Sequence, residues 1–144
     1  MTEDDGFELS SFTPYLLNQA AEAQSVAFAA IYRNRYGMLR TEWRVLFHLG
    51  RYGPMTAKDI STSALVHKTK ISRAVRALEQ KRFLKRVERP GDGRSEYLVL
   101  RPPGEEAFRD LCHAAREHEA QLERRLGQQD ARMLRQLLVK LRET

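Results

Sequence analysis

The stretch from Arg86 to Leu100, RVERPGDGRSEYLVL, limits the fold more than any other part of the chain. A basic, strand-like run through Leu84 and Val87 stops at Pro90-Gly91-Asp92-Gly93. It resumes at Leu98 and Leu100, which alternate with Tyr97 and Val99. Asp-Gly between alternating apolar runs is a strong hairpin signal, because both residues tolerate the positive φ that a tight turn requires. The flanking sequence has the helical period instead. The chain is therefore expected to be mainly α with one small β-hairpin.

The helical segments follow from spacing. Phe12, Leu16, Ala20, Ala23, Ala27, Ala30 and Ile31 recur at three- and four-residue steps up to Gly37. The first ten residues are polar and acidic, and are expected to be loose. A second helix is expected from Thr41, as N-cap, to Arg51, with Trp43, Leu46, Phe47 and Gly50 on one side. YGPM is expected as a turn. Thr56 with Asp59 three residues on resembles a capping box for a short helix around Ile60. A fourth helix starts near His67 or Lys68, with Ile71, Val75 and Leu78 inward. Pro102-Pro103-Gly104 closes the hairpin region, and a long helix is expected over 104–126. After Gly127, a last amphipathic helix carries Met133, Leu134, Leu137, Leu138 and Leu141. The whole chain, 1–144, reads as one domain.

Charge placement narrows the function. Residues 67–101 hold eleven Lys and Arg against four Asp and Glu, more than the whole net charge of +6. A concentrated basic patch is the electrostatic mark of a polyanion partner, although basic runs can also be plain solvated surface. A short helix, a turn and a second helix form a helix-turn-helix, whose second helix enters the major groove of DNA. Here that recognition helix, about 67–81, presents Lys68, Thr69, Lys70, Ser72, Arg73 and Arg76, and its first acid is Glu79 near the far end. A hairpin after it, about 84–101, makes a wing. Lys85, Arg86 and Arg89 on its first strand can follow phosphates, and Arg94 at the tip can enter a minor groove, whose negative potential favours arginine. Asp92 either braces an arginine or closes the turn. The expected partner is double-stranded DNA.

Other classes fit less well. No apolar run reaches the ~18 residues of a membrane span. The start, MTEDDGFELSSF, lacks the positive and apolar parts of a secretory signal, so the expected compartment is the cytoplasm and no membrane partner is expected. Cys112 stands alone, which excludes an intrachain disulfide. No nucleophile elbow, phosphate loop or zinc-protease helix is present, so the chain does not read as an enzyme. No cofactor and no metal site are expected. His113, Glu117 and His118 lack ligand spacing, and His48 and His67 stand alone.

Four stretches together resemble the multiple antibiotic resistance regulators, the MarR family. They are LRTEWRVLFHL (39–49), TAKDIS (56–61), TKISRAVRALEQKRFLKR (69–86) and DGRSEYLVLRPPGEEAF (92–108). Asp92 and Arg94, as Asp-x-Arg, are the most characteristic element, followed by Ser72-Arg73. The resemblance implies a winged helix-turn-helix, 41–101, between N- and C-terminal dimerisation helices, 12–36 and 104–143. It also implies a homodimer that represses nearby genes from a pseudo-palindromic operator and leaves it when a small molecule binds. The chain departs from the family where Arg82 replaces a usual Gly, Arg101 a usual Thr, and Pro103 a commonly charged residue.

A family effector pocket would lie between the dimer helices and the winged helix. Candidates are Tyr32, Arg35, Tyr36, Arg40, Trp43, Arg44, Phe47 and His48. Aromatics beside arginines suit an aromatic acid, or an aryl-CoA with its phosphates on Arg33, Arg35 or Arg40. Core packing is the plainer reading of Trp43 and Phe47. A thiol redox sensor at Cys112 and a DNA binder without effector are the alternatives.

Overall fold

The computed structural model describes residues 5–91 and 95–143. Among the described residues a short 3-10 helix (Leu9–Ser11) precedes six α-helices and a two-stranded antiparallel sheet: α1 (Thr13–Tyr36), α2 (Arg40–Tyr52), α3 (Ala57–Ala64), α4 (Lys68–Gln80), β1 (Leu84–Glu88), β2 (Glu96–Leu100), α5 (Pro102–Leu126) and α6 (Gln128–Arg142). The mainly α architecture with a hairpin wing is the one expected. The strands pair from Leu84 opposite Leu100 to Glu88 opposite Glu96. This register turns Leu84, Leu98 and Leu100 into the core, together with Val45, Leu46, Leu49, Ile60, Ile71, Val75, Leu78 and Leu111. The winged helix is thus built around one apolar centre to which α1 and α5 add Tyr32 and Leu111.

Several element boundaries differ from the sequence reading. Thr41 is not the cap of α2; Leu39 is, without a side-chain cap bond, and the helix runs on to Tyr52. α5 begins at Pro102, not at Gly104, because a proline in the first helical turn gives up only an N–H that has no helical partner there. Gly104 is required for a different reason. A Cβ at that position would clash with the Phe83 carbonyl oxygen. That same carbonyl accepts the Arg101 N–H at 2.9 Å, so the start of α5 is pressed onto the segment between α4 and β1. Nor is YGPM only a turn. Met55 bridges Leu98 in antiparallel fashion: its N–H donates to Leu98 O, and its carbonyl accepts the Leu98 N–H at 2.8 Å, which ties the start of α3 to the wing.

Candidate nucleic-acid interface

The helix-turn-helix is fixed at each joint by local hydrogen bonds. Thr56 Oγ1 accepts the Asp59 N–H at 3.1 Å and Asp59 returns the contact to the Thr56 N–H at 3.2 Å, a full capping box at the head of α3. In the turn, Ser61 O accepts the N–H of Leu65 and of Val66, and the Ser61 hydroxyl donates to Val66 O at 2.6 Å. His67 caps α4 by accepting the Thr69 N–H on Nδ1 at 3.1 Å. Ile71, Ala74, Val75 and Leu78 then face the core. The period of 3.6 leaves Lys68, Thr69, Lys70, Ser72, Arg73 and Arg76 exposed together. None of these four cations has an ion partner among the described residues.

At the far end of α4 the helix stops by a Schellman pair. Arg82 takes φ 63°, its N–H donates to Glu79 O, and the Phe83 N–H donates to Leu78 O. The arginine in the usual glycine position thus adopts the left-handed conformation itself rather than ending the helix by another route.

The wing cations are held differently from those of α4. Arg86 donates through Nε to both carboxylate oxygens of Glu79, at 3.2 and 3.3 Å, and so braces β1 against α4. Arg89 lies just beyond β1 rather than along it, with its guanidinium 5.6 Å from the Tyr97 ring centre. Lys85 is exposed. Asp92 and Arg94 lie outside the described residues. Glu42, buried on α2, has Lys81 Nζ 3.7 Å away.

The eight effector candidates are not all in one place, although Tyr32 and Arg40 line a cavity of about 390 Å³ together with Arg33. Tyr32 is buried in the core, and its ring stacks on Trp43 at 6.2 Å. Arg35 and the Tyr36 hydroxyl both donate to Asp110 on α5, the latter at 2.6 Å. Those hydrogen bonds, first that from Tyr36, hold the Asp110 carboxyl below the usual carboxylate range. Burial, and then the same bond, push Tyr36 up to about 12. Arg40 pairs with Glu22 at 3.7 Å. Arg44 offers its carbonyl to His48 Nδ1, 2.7 Å away. Phe47 alone of the eight lines a cavity of about 700 Å³ between α2 and α5, with Arg51, Phe108, Arg109, Cys112, His113 and Arg116. The sequence reading missed this basic lining, although Arg109, His113 and Arg116 share one helical face at three- and four-residue steps. Burial raises the Cys112 thiol, against a lowering by Arg116, which disfavours the thiolate that oxidation needs.

Among the described residues, no group of three His, Cys, Asp or Glu could hold a metal ion, and no helix is long and apolar enough to cross a membrane. A family model described as MarR family matches residues 36–95. No curated protein matches. Among solved structures, the fold is similar to a probable transcriptional regulator from Pseudomonas aeruginosa, 29% identical, with a TM-score of 0.79 over 93% of this chain and 99% of that one. A MarR/EmrR family transcriptional regulator from Acinetobacter sp. ADP1 is 25% identical, with a TM-score of 0.82 over 95% and 96%. Bordetella bronchiseptica BpsR is 17% identical, with a TM-score of 0.86 over 96% and 98%.

Proposed function

We propose that the chain is a winged-helix transcriptional regulator of the MarR family, whose family model matches residues 36–95, that it binds duplex DNA sequence-specifically as a homodimer, and that a small aromatic acid releases it. The observation that carries the reading is the exposed face of α4. Lys68, Lys70, Arg73 and Arg76 stand together without ion partners among the described residues, while the other face of the same helix is buried. Four unpaired cations on one face repel one another, and that repulsion is relieved by a polyanion. α4 then lies in the major groove, with Lys68, Thr69, Lys70, Ser72, Arg73 and Arg76 toward bases and phosphates. Arg86 and Arg89 follow the backbone, and the Asp-x-Arg pair, Asp92 and Arg94, is assigned to DNA on the sequence alone.

The dimer reading rests on the chain ends. Phe7, Leu9, Phe12 and Leu16 are exposed at one end, and Met133, Leu134, Leu137 and Leu138 at the other. Apolar surface of that extent at both termini fits an interface made by α1, α5 and α6, with the winged helix, 41–101, left free for DNA. Two-fold pairing sets the half-sites roughly one helical turn apart.

The effector reading uses the cavity between α2 and α5. Phe47 and Phe108 offer ring faces, and Arg51, Arg109 and Arg116 offer carboxylate partners. BpsR has its DNA binding regulated by 6-hydroxynicotinic acid, an acid of this class. A small acid is the narrower reading: of the three arginines considered for aryl-CoA phosphates, Arg35 and Arg40 have carboxylate partners in Asp110 and Glu22, which leaves Arg33. Fluorescence anisotropy with the duplex upstream of the gene tests the first step. Affinity equal to that for random DNA at about 150 mM salt would refute the reading. Release of that duplex by benzoate-type acids tests the second.

A further inference from the structure

The turn between α3 and α4 holds a residue that neither the core nor the basic face accounts for. Leu65 is 84% exposed, the highest value among the exposed large apolar residues, and it adopts φ 54°. Both properties are unfavourable for leucine. The left-handed region brings its Cβ against the following carbonyl, and an isobutyl group in water gains nothing from burial. Glycine or asparagine would hold the same turn more cheaply. The neighbouring residue shows the contrast. Val66 turns inward and packs against the core, and Ser61 holds the turn through the N–H groups of Leu65 and Val66 and through Val66 O. The side chain of Leu65 is thus displayed outward on a braced turn, two residues before the His67 cap.

Its position gives it a partner. The turn adjoins the N-terminal end of α4, where Lys68, Thr69 and Lys70 are exposed, and that end of a recognition helix faces base edges. It lies in the middle of the chain, apart from the apolar termini assigned to dimerisation. In the major groove, the one apolar group on a base edge is the thymine C5 methyl. We propose that Leu65 reads sequence by packing on a thymine methyl at one position of each half-site, supplying apolar discrimination that the cations of α4 cannot. This inference rests on α4 being the DNA-reading helix.

The experiment first selects a tight-binding duplex from a random pool with the full-length protein at about 150 mM salt. Each thymine in it is then replaced by deoxyuridine, which removes only the methyl. The scan is run on the native protein and on Leu65→Asn, a variant suited to the left-handed turn, with melting points confirming that both are folded. The expected result is one thymine per half-site whose methyl contributes about fourfold to the affinity of the native protein, the equivalent of one buried methyl group, and nothing to that of Leu65→Asn. Identical scans for the two proteins, or a selected half-site without a methyl-sensitive thymine, would overturn the role of Leu65 while leaving DNA recognition by α4 intact. Failure to select any duplex over the pool would overturn both.

Discussion

Arg82 shows how much a single backbone angle matters. At φ 63° it closes a Schellman pair in which glycine avoids the steric cost of about 1–2 kcal/mol that other residues incur. Glycine also loses more chain entropy on folding, by roughly 0.5–1 kcal/mol. The balance favours glycine, so Arg82→Gly is expected to stabilise the fold by about 0.5–1 kcal/mol. A chemical denaturation midpoint at or below that of the native chain would show the αL strain to be negligible. Gly104 presents the opposite case. Its Cβ would meet a backbone carbonyl that cannot swing away, so Gly104→Ala is expected to cost about 1–3 kcal/mol, the range for overpacking. On the interface, Arg73→Ala should weaken binding to a selected duplex by about 1–3 kcal/mol and relax discrimination, as loss of a base contact does. Lys68→Ala, if Lys68 meets phosphate, should weaken all duplexes alike. Unchanged affinity in the Arg73 variant would remove α4 from the groove.

At the scale of elements, α1 and α5 are clamped by Arg35, Tyr36 and Asp110, and the clamp has a pH window with a defined sign. Asp110 is held below its usual range, so its contribution is present above an unfolded carboxylate pKa of about 3.9 and fades as pH falls through the folded value. Tyr36 is pushed up to about 12, so its contribution is present below about 10 and fades as pH rises toward the folded value. Melting points from pH 3 to 7 should fall more steeply toward acid in the native chain than in Asp110→Asn; parallel curves would show the clamp to be energetically idle. None of this could be read from the sequence, since Arg35 and Tyr36 meet a partner 74–75 positions away. The helices were legible wherever apolar residues kept a 3.6 period, and the hairpin because Asp92-Gly93 sits between alternating runs. The start of α5 was not, because a proline pair signals a break and a first helical turn equally well. The basic face of α4 was readable because one helix supplies all of it. The cavity lined by Phe47, Arg51, Arg109 and Arg116 was not, because α2 and α5 create it jointly across a long stretch of chain.

At the scale of the whole molecule, oligomerisation and DNA affinity are one question. α6 buries only Ala131, while Leu134 and Leu138, one turn apart, stay exposed on it. If two copies cover that surface, folding is linked to association, and the melting point must rise with protein concentration. On the proposed reading, the same coupling governs binding to a two-half-site operator. Two recognition helices on one rigid dimer bind the second half-site at a high effective concentration, which strengthens binding by roughly 10²–10⁴ over a single half-site. Leu134→Glu combined with Leu138→Glu places two like charges on the apolar face without touching the winged helix. Sedimentation should then show a monomer, and affinity for a two-half-site duplex should fall to that for one half-site, while the single half-site is bound as before. The last comparison separates loss of dimerisation from loss of folding, because an unfolded α4 would bind neither duplex. A native chain that sediments as a monomer at micromolar concentration, with a melting point independent of concentration, would instead assign the exposed leucines of α6 to a different partner.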